Sequence, residues 1–109
     1  MAKDLFREQV DNLQLVHFLV LFWVADAEDK GVRYNITNCF DDLKGCRVTR
    51  TKQTAVAVTE TLRALCFLVI REEGNRKHMY ITEHGAKALE MLVLRRAFTP
   101  QPSAFLEAD

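Results

Sequence analysis

Apolar residues between Leu5 and Ala27 fall at positions 5, 6, 10, 13, 15, 16, 18 to 25 and 27. The first part of this run has helical spacing and the second is apolar nearly all round. The pattern predicts one long helix, capped by Asp4 and buried on more than one side. Asp26, Glu28 and Asp29 oppose the dipole at its end, so it frays before Gly31, a natural stop. Val32 to Tyr34 reads as a short strand. Asn35 then caps a second helix with Ile36, Cys39, Phe40 and Leu43 on one face, ended by Lys44-Gly45.

Thr49 or Thr51 caps a third helix. Its inward stripe is Ala55, Val58, Thr59, Leu62 and Leu65; Lys52, Gln53, Val56, Ala57 and Glu60 lie opposite. Two strand-forming runs follow, Phe67 to Arg71 and His78 to Thr82, around a polar tip from Glu72 to Lys77. Gly74-Asn75 predicts a tight turn that sets Arg76 and Lys77 at an exposed tip. Glu72 and Glu73 are placed to orient these cations by local pairing. Thr82 caps a fourth helix, Glu83 to about Arg96, whose Leu89 and Met91 to Leu94 offer more apolar surface than one core needs. Pro100 and Pro102 prevent its continuation. Residues 99–109 read as an arm or disordered tail, with Phe105 and Leu106 able to anchor it on a partner.

The fold class is therefore mainly α with a small β-hairpin (α+β), as one domain over residues 1–98. With 109 residues there is no room for a second core, and a hydrophobic fraction of 49% is ample for one. A first helix this apolar exceeds what one small core usually covers, which points to a homodimer. Leu5, Leu15, Phe18, Leu19, Phe22 and, from the last helix, Leu92 are the candidate interface residues. His17 reads as a hydrogen-bonded core or interface histidine.

No apolar run reaches the roughly 18 residues that span a bilayer, and no signal peptide is recognisable, so a cytoplasmic protein with no membrane partner is expected. The three cysteines and three histidines have no metal-ligand spacing, and neither metal nor cofactor is expected. Cys46, beside Arg47 and Arg50, is the thiol placed to be exposed and acidified, whereas Cys39 and Cys66 read as covered. There is no nucleophile elbow or phosphate loop, and His84 beside Glu83 lacks a third partner; an enzyme is not expected.

Net charge is zero, but it is unevenly spread. Residues 47–78 hold seven basic side chains (Arg47, Arg50, Lys52, Arg63, Arg71, Arg76, Lys77) against three acidic ones (Glu60, Glu72, Glu73). Both flanking segments are net negative. Phosphate binding depends on local charge, so this stretch is the candidate for double-stranded DNA. Arg50 and Lys52 can reach phosphate or guanine, and Gln53 can bond adenine bidentately. Val56 can pack on a thymine methyl, and Thr49 and Thr51 can anchor phosphate. Asn75, Arg76 and Lys77 of the hairpin complete the set, with Arg76 able to enter a minor groove.

Two motifs carry a family resemblance. Leu62-Arg63-Ala64-Leu65-Cys66-Phe67-Leu68-Val69-Ile70-Arg71 looks like the Leu-x-x-x-Gly-Leu-Ile-x-Arg pattern that follows the recognition helix of winged helix-turn-helix regulators of the MarR and PadR type. Ile81-Thr82-Glu83-His84-Gly85-Ala86-Lys87-Ala88-Leu89 is similar to their Leu-Thr-x-x-Gly-x-x-x-Leu. Cys66 stands where the pattern has glycine, and the Asp-x-Arg typical of the MarR wing is missing. The resemblance implies a recognition helix over about 51–66, a wing over about 67–82, a Gly85 that permits close packing, and N- and C-terminal helices that form a dimer interface.

The expected function is a homodimeric transcriptional repressor that binds a palindromic operator in double-stranded DNA. Plasmid or viral partition and copy-control proteins use the same physics, and a winged-helix interaction module without DNA binding is the other alternative. A small-molecule effector between the first and third helices fits the layout, but no residue identifies it.

Overall fold

The computed structural model describes residues 5–107. The proposed Asp4 cap lies outside the described residues. The elements run α1 (Leu5–Asp11), α2 (Leu15–Asp29), α3 (Ile36–Gly45), α4 (Lys52–Ala64), β1 (Leu68–Glu73), β2 (Arg76–Ile81), α5 (Glu83–Leu94) and α6 (Ala104–Glu107). The architecture is mainly helical with a two-stranded antiparallel hairpin, an α+β fold.

The long first helix is in fact two, α1 and α2, set at 104°. Leu13 turns into the core at 6% exposure, and Gln14 is extended (φ −110°, ψ 177°), which ends α1 and opens α2 afresh. The His17 Nδ1 accepts from the Gln14 N–H at 3.0 Å, so this histidine caps the new helix. Burial lowers its pKa. The bend lays α1 across the start of α5, where Phe6 meets the His84 ring at 4.8 Å and Phe67 edge-on at 6.3 Å. A straight helix would carry Phe6 and Val10 away from the core.

α2 is the centre of the molecule. Phe18 to Leu21, Trp23, Val24 and Ala27 are buried, surrounded by α3, α4, α5 and the hairpin. One chain covers this apolar surface by itself. The acidic end does not fray: α2 continues to Asp29, Lys30 pairs with Asp26 at 3.2 Å, and Glu28 accepts a hydrogen bond from the Ile81 N–H. Val32 to Tyr34 is not a strand. It makes a single ladder-like bond, Met79 N–H to the Tyr34 carbonyl at 2.8 Å, before Asn35 opens α3.

The cap assignments made from local sequence match the structure. Asn35 accepts from the Asn38 N–H, Thr51 from Thr54 and Thr82 from Gly85. The inward stripe of α4 is buried at Ala55, Val58, Thr59 and Leu62.

The C-terminal segment is not a free arm; it folds back on its own chain. Trp23 Nε1 donates to the Gln101 carbonyl at 2.8 Å, Phe98 meets Phe18 at 5.6 Å, and Phe105 lies 5.9 Å from Tyr34. Asp42, only 2% exposed, holds the end of this segment. Its carboxyl group accepts from the Tyr34 and Ser103 hydroxyls and from the Phe105 N–H.

No single helix among the described residues is long and apolar enough to cross a membrane.

Candidate nucleic-acid interface

Helix α4 begins at a double threonine cap. Thr49 is 8% exposed and fully engaged: its hydroxyl accepts from the Thr51 N–H and donates to the Thr51 carbonyl. It shapes the turn and does not project outward. Arg50, Thr51, Lys52, Gln53 and Val56 do face solvent, along one side of the helix start.

The hairpin is longer than expected. β1 and β2 pair from Leu68–Ile81 to Glu73–Arg76, leaving only Gly74-Asn75 as the turn, with Gly74 at φ +67°. A two-residue turn that matches strand twist needs such a conformation at its first central position, which glycine adopts without strain. Arg76 and Lys77 consequently lie within β2, on opposite faces of the hairpin, and only Asn75 sits at the tip. All three are exposed.

One face of the hairpin looks toward α4 across a cleft of about 650 Å³. Val56, Ile70 and Met79 give it an apolar floor, and Glu60, Arg63, Glu72 and Lys77 stand at its edges. Arg63 is paired with Glu60 at 2.7 Å, which raises its pKa. The other face carries a polar cluster. Glu73 Oε1 accepts from the Tyr80 hydroxyl at 2.6 Å and is 2.8 Å from His78 Nδ1. The Arg71 guanidinium lies 4.7 Å over the Tyr80 ring. The Tyr80 hydrogen bond, assisted by His78 and Arg33, holds the Glu73 carboxyl below the usual carboxylate range, and the same bond raises the Tyr80 phenol.

Glu73 is therefore not the local partner of Arg76 or Lys77. Among the described residues Arg50, Lys52, Arg76 and Lys77 have no carboxylate within 4.0 Å, although Lys52 approaches the Thr37 hydroxyl at 3.4 Å. Arg33 also lies on the hairpin side and is exposed. Nothing in the sequence singled it out, because its neighbours Glu73 and His78 are about forty positions away.

The candidate interface residues of the helical side divide in two. Phe18, Leu19 and Leu92 are 0, 0 and 2% exposed and are spent on the protomer's own core. Leu5 and Leu15 are exposed and Phe22 partly so, joined by Val93 and Leu94 of α5. The cysteines also sort differently from expectation. Cys39 is buried and its thiol is pushed up to about 12 by that burial, and burial likewise raises Cys46 despite the nearby arginines. Cys66 is the exposed one. No group of three or more potential ligands for a metal ion occurs among the described residues.

Gly85, in the first turn of α5, packs directly against the backbone at Phe67. A Cβ there would sit 2.0 Å from the Phe67 carbonyl oxygen. Thr82 closes the same junction, its N–H donating to the Phe67 carbonyl and its hydroxyl to the Cys66 carbonyl. No protein family and no curated protein matches the chain.

Proposed function

We propose that the chain is a winged helix-turn-helix protein that binds double-stranded DNA as a homodimer and acts as a transcriptional repressor. α4 enters the major groove through Arg50, Thr51, Lys52, Gln53 and Val56, and the hairpin lies alongside, gripping backbone through Asn75, Arg76 and Lys77. The observation that carries this reading is that Arg50 and Lys52 at the start of α4 and Arg76 and Lys77 on the hairpin are exposed and have no carboxylate within 4.0 Å among the described residues. Unpaired surface cations are free to displace the counterions of a phosphate backbone. The Thr82–Gly85 junction, which holds the hairpin against α5, supports the winged-helix assignment.

Duplex DNA of random sequence, titrated at several salt concentrations, tests the proposal. Binding is expected to weaken steeply with salt. Arg50→Ala, Lys52→Ala and Arg76→Ala should each flatten the log–log salt dependence by about 0.9 for every phosphate the side chain had neutralised. No binding at low salt would sink the reading. A second reading, a protein-interaction module, is favoured by the balanced charge and apolar floor of the cleft between α4 and the hairpin. It gains if DNA fails to bind. A partition or copy-control role shares the same DNA interface.

A further inference from the structure

The polar face of the hairpin forms a second cleft, of about 540 Å³, with the start of α3 and the C-terminal segment. His78 lines it while being only 5% exposed. Its Nδ1 is committed to Glu73. Its Nε2 has no hydrogen-bond partner among the described residues, yet no buried side-chain nitrogen or oxygen among them is left unpartnered. The Nε2 is therefore not sealed inside the protein but is reached from the cleft. Arg33 and Arg76 stand at the walls, neither with a carboxylate within 4.0 Å among the described residues. Phe105 completes the lining; its inner side meets Tyr34 and the residue remains 37% exposed.

We propose that this cleft binds a small organic anion, with a carboxylate or phosphate group between Arg33, Arg76 and His78 Nε2 and an apolar body against Phe105. Two guanidinium groups supply charge and forked donors for such a group. With Nδ1 committed to Glu73, Nε2 is the ring atom left facing the ligand. The buried position of the ring fixes the direction of that atom. Phe105 adds a flat apolar wall that a hydrated inorganic ion does not use. Glu73 also lines the cleft, with its Oε1 taken up by the Tyr80 hydroxyl and His78, and the two guanidinium groups outnumber its single charge. The site goes beyond the DNA reading and does not depend on it.

The test is a nuclear magnetic resonance titration of the whole chain with benzoate and, separately, with phenyl phosphate, using acetate and inorganic phosphate as ring-free controls. Saturable shifts at Arg33, Arg76 and the His78 ring are expected, with the preferred probe showing whether the site is built for carboxylate or phosphate. Arg33→Gln and Arg76→Gln, both at exposed positions, should each weaken binding by about tenfold. Phe105→Ala should bring each ring-bearing probe down to its ring-free control. Absence of saturable shifts with both ring-bearing probes at tens of millimolar overturns the proposal, as does binding unaffected by both arginine substitutions.

Discussion

Arg47, Cys66 and Arg96 adopt φ of +63°, +66° and +52°, each directly after the C-cap of a helix. In all three the backbone closes in the same way, as when Cys66 N–H bonds the Arg63 carbonyl and Phe67 N–H the Leu62 carbonyl. This terminating turn favours glycine, and a side chain there costs on the order of 1 kcal/mol. Cys66→Gly should therefore raise stability by about 0.5–1 kcal/mol in denaturant unfolding. Gly85→Ala should do the reverse, by roughly 2 kcal/mol or more, because the methyl group would meet backbone that cannot swing aside. Glu73 supplies a pH signature. Its depressed pKa contributes stability that is present above the ordinary carboxylate value of about 4.3 and lost as pH falls through the folded value. Protection factors of the hairpin amides, taken against the intrinsic exchange rate at each pH, should fall on acidification in that window, and Glu73→Gln should abolish the fall. Identical pH profiles for the two proteins would refute the assignment.

Elements whose ends are set locally were legible from sequence. Asn35, Thr51 and Thr82 declare their helices because a cap satisfies N–H groups within three residues, and Gly74 declares its turn for an equally local reason. Boundaries set by distant packing were not. The break before α2 depends on Phe6 reaching Phe67 and His84, and the folded-back C-terminus depends on Asp42. In the sequence Asp42 is one of two acidic residues on an amphipathic helix, with nothing to distinguish it from Asp41. Of the candidate DNA-binding residues, those on the outward face of α4 followed from periodicity, whereas the engagement of Thr49 and the placement of Arg76 and Lys77 within a strand required the fold. Asp42→Ala should cost about 2–4 kcal/mol, since it strands the Tyr34 and Ser103 hydroxyls. Ser103→Ala should be milder and loosen the C-terminal segment alone. Trp23, the only tryptophan, bonds Gln101 in that segment, so its emission should move to the red when the segment lifts. Unchanged emission in Ser103→Ala at reduced stability would show that the hydroxyl does not hold the segment.

At the scale of the molecule, α2 needs no second copy to bury it, so the proposed homodimer rests on the outer surfaces of α1 and α5. Leu94 is 76% exposed and Leu5 68%. Asp11 on α1 and Arg95 just beyond α5 are paired, which fixes the two helices against each other. Leu94→Glu should convert the protein to a monomer by sedimentation while leaving its circular dichroism unchanged. A wild-type chain that already sediments as a monomer would remove the dimer from the proposal. The Gly85 packing bears on how such a dimer would work. With the Phe67 carbonyl against the bare Cα of Gly85 and Thr82 bonded to both Cys66 and Phe67, the end of α4, the root of the hairpin and the first turn of α5 are riveted together. They would swing as one lever. In the proposed dimer, the tilt at which two copies meet along α5 would dictate the spread of the two hairpin tips, with no moving part inside either protomer.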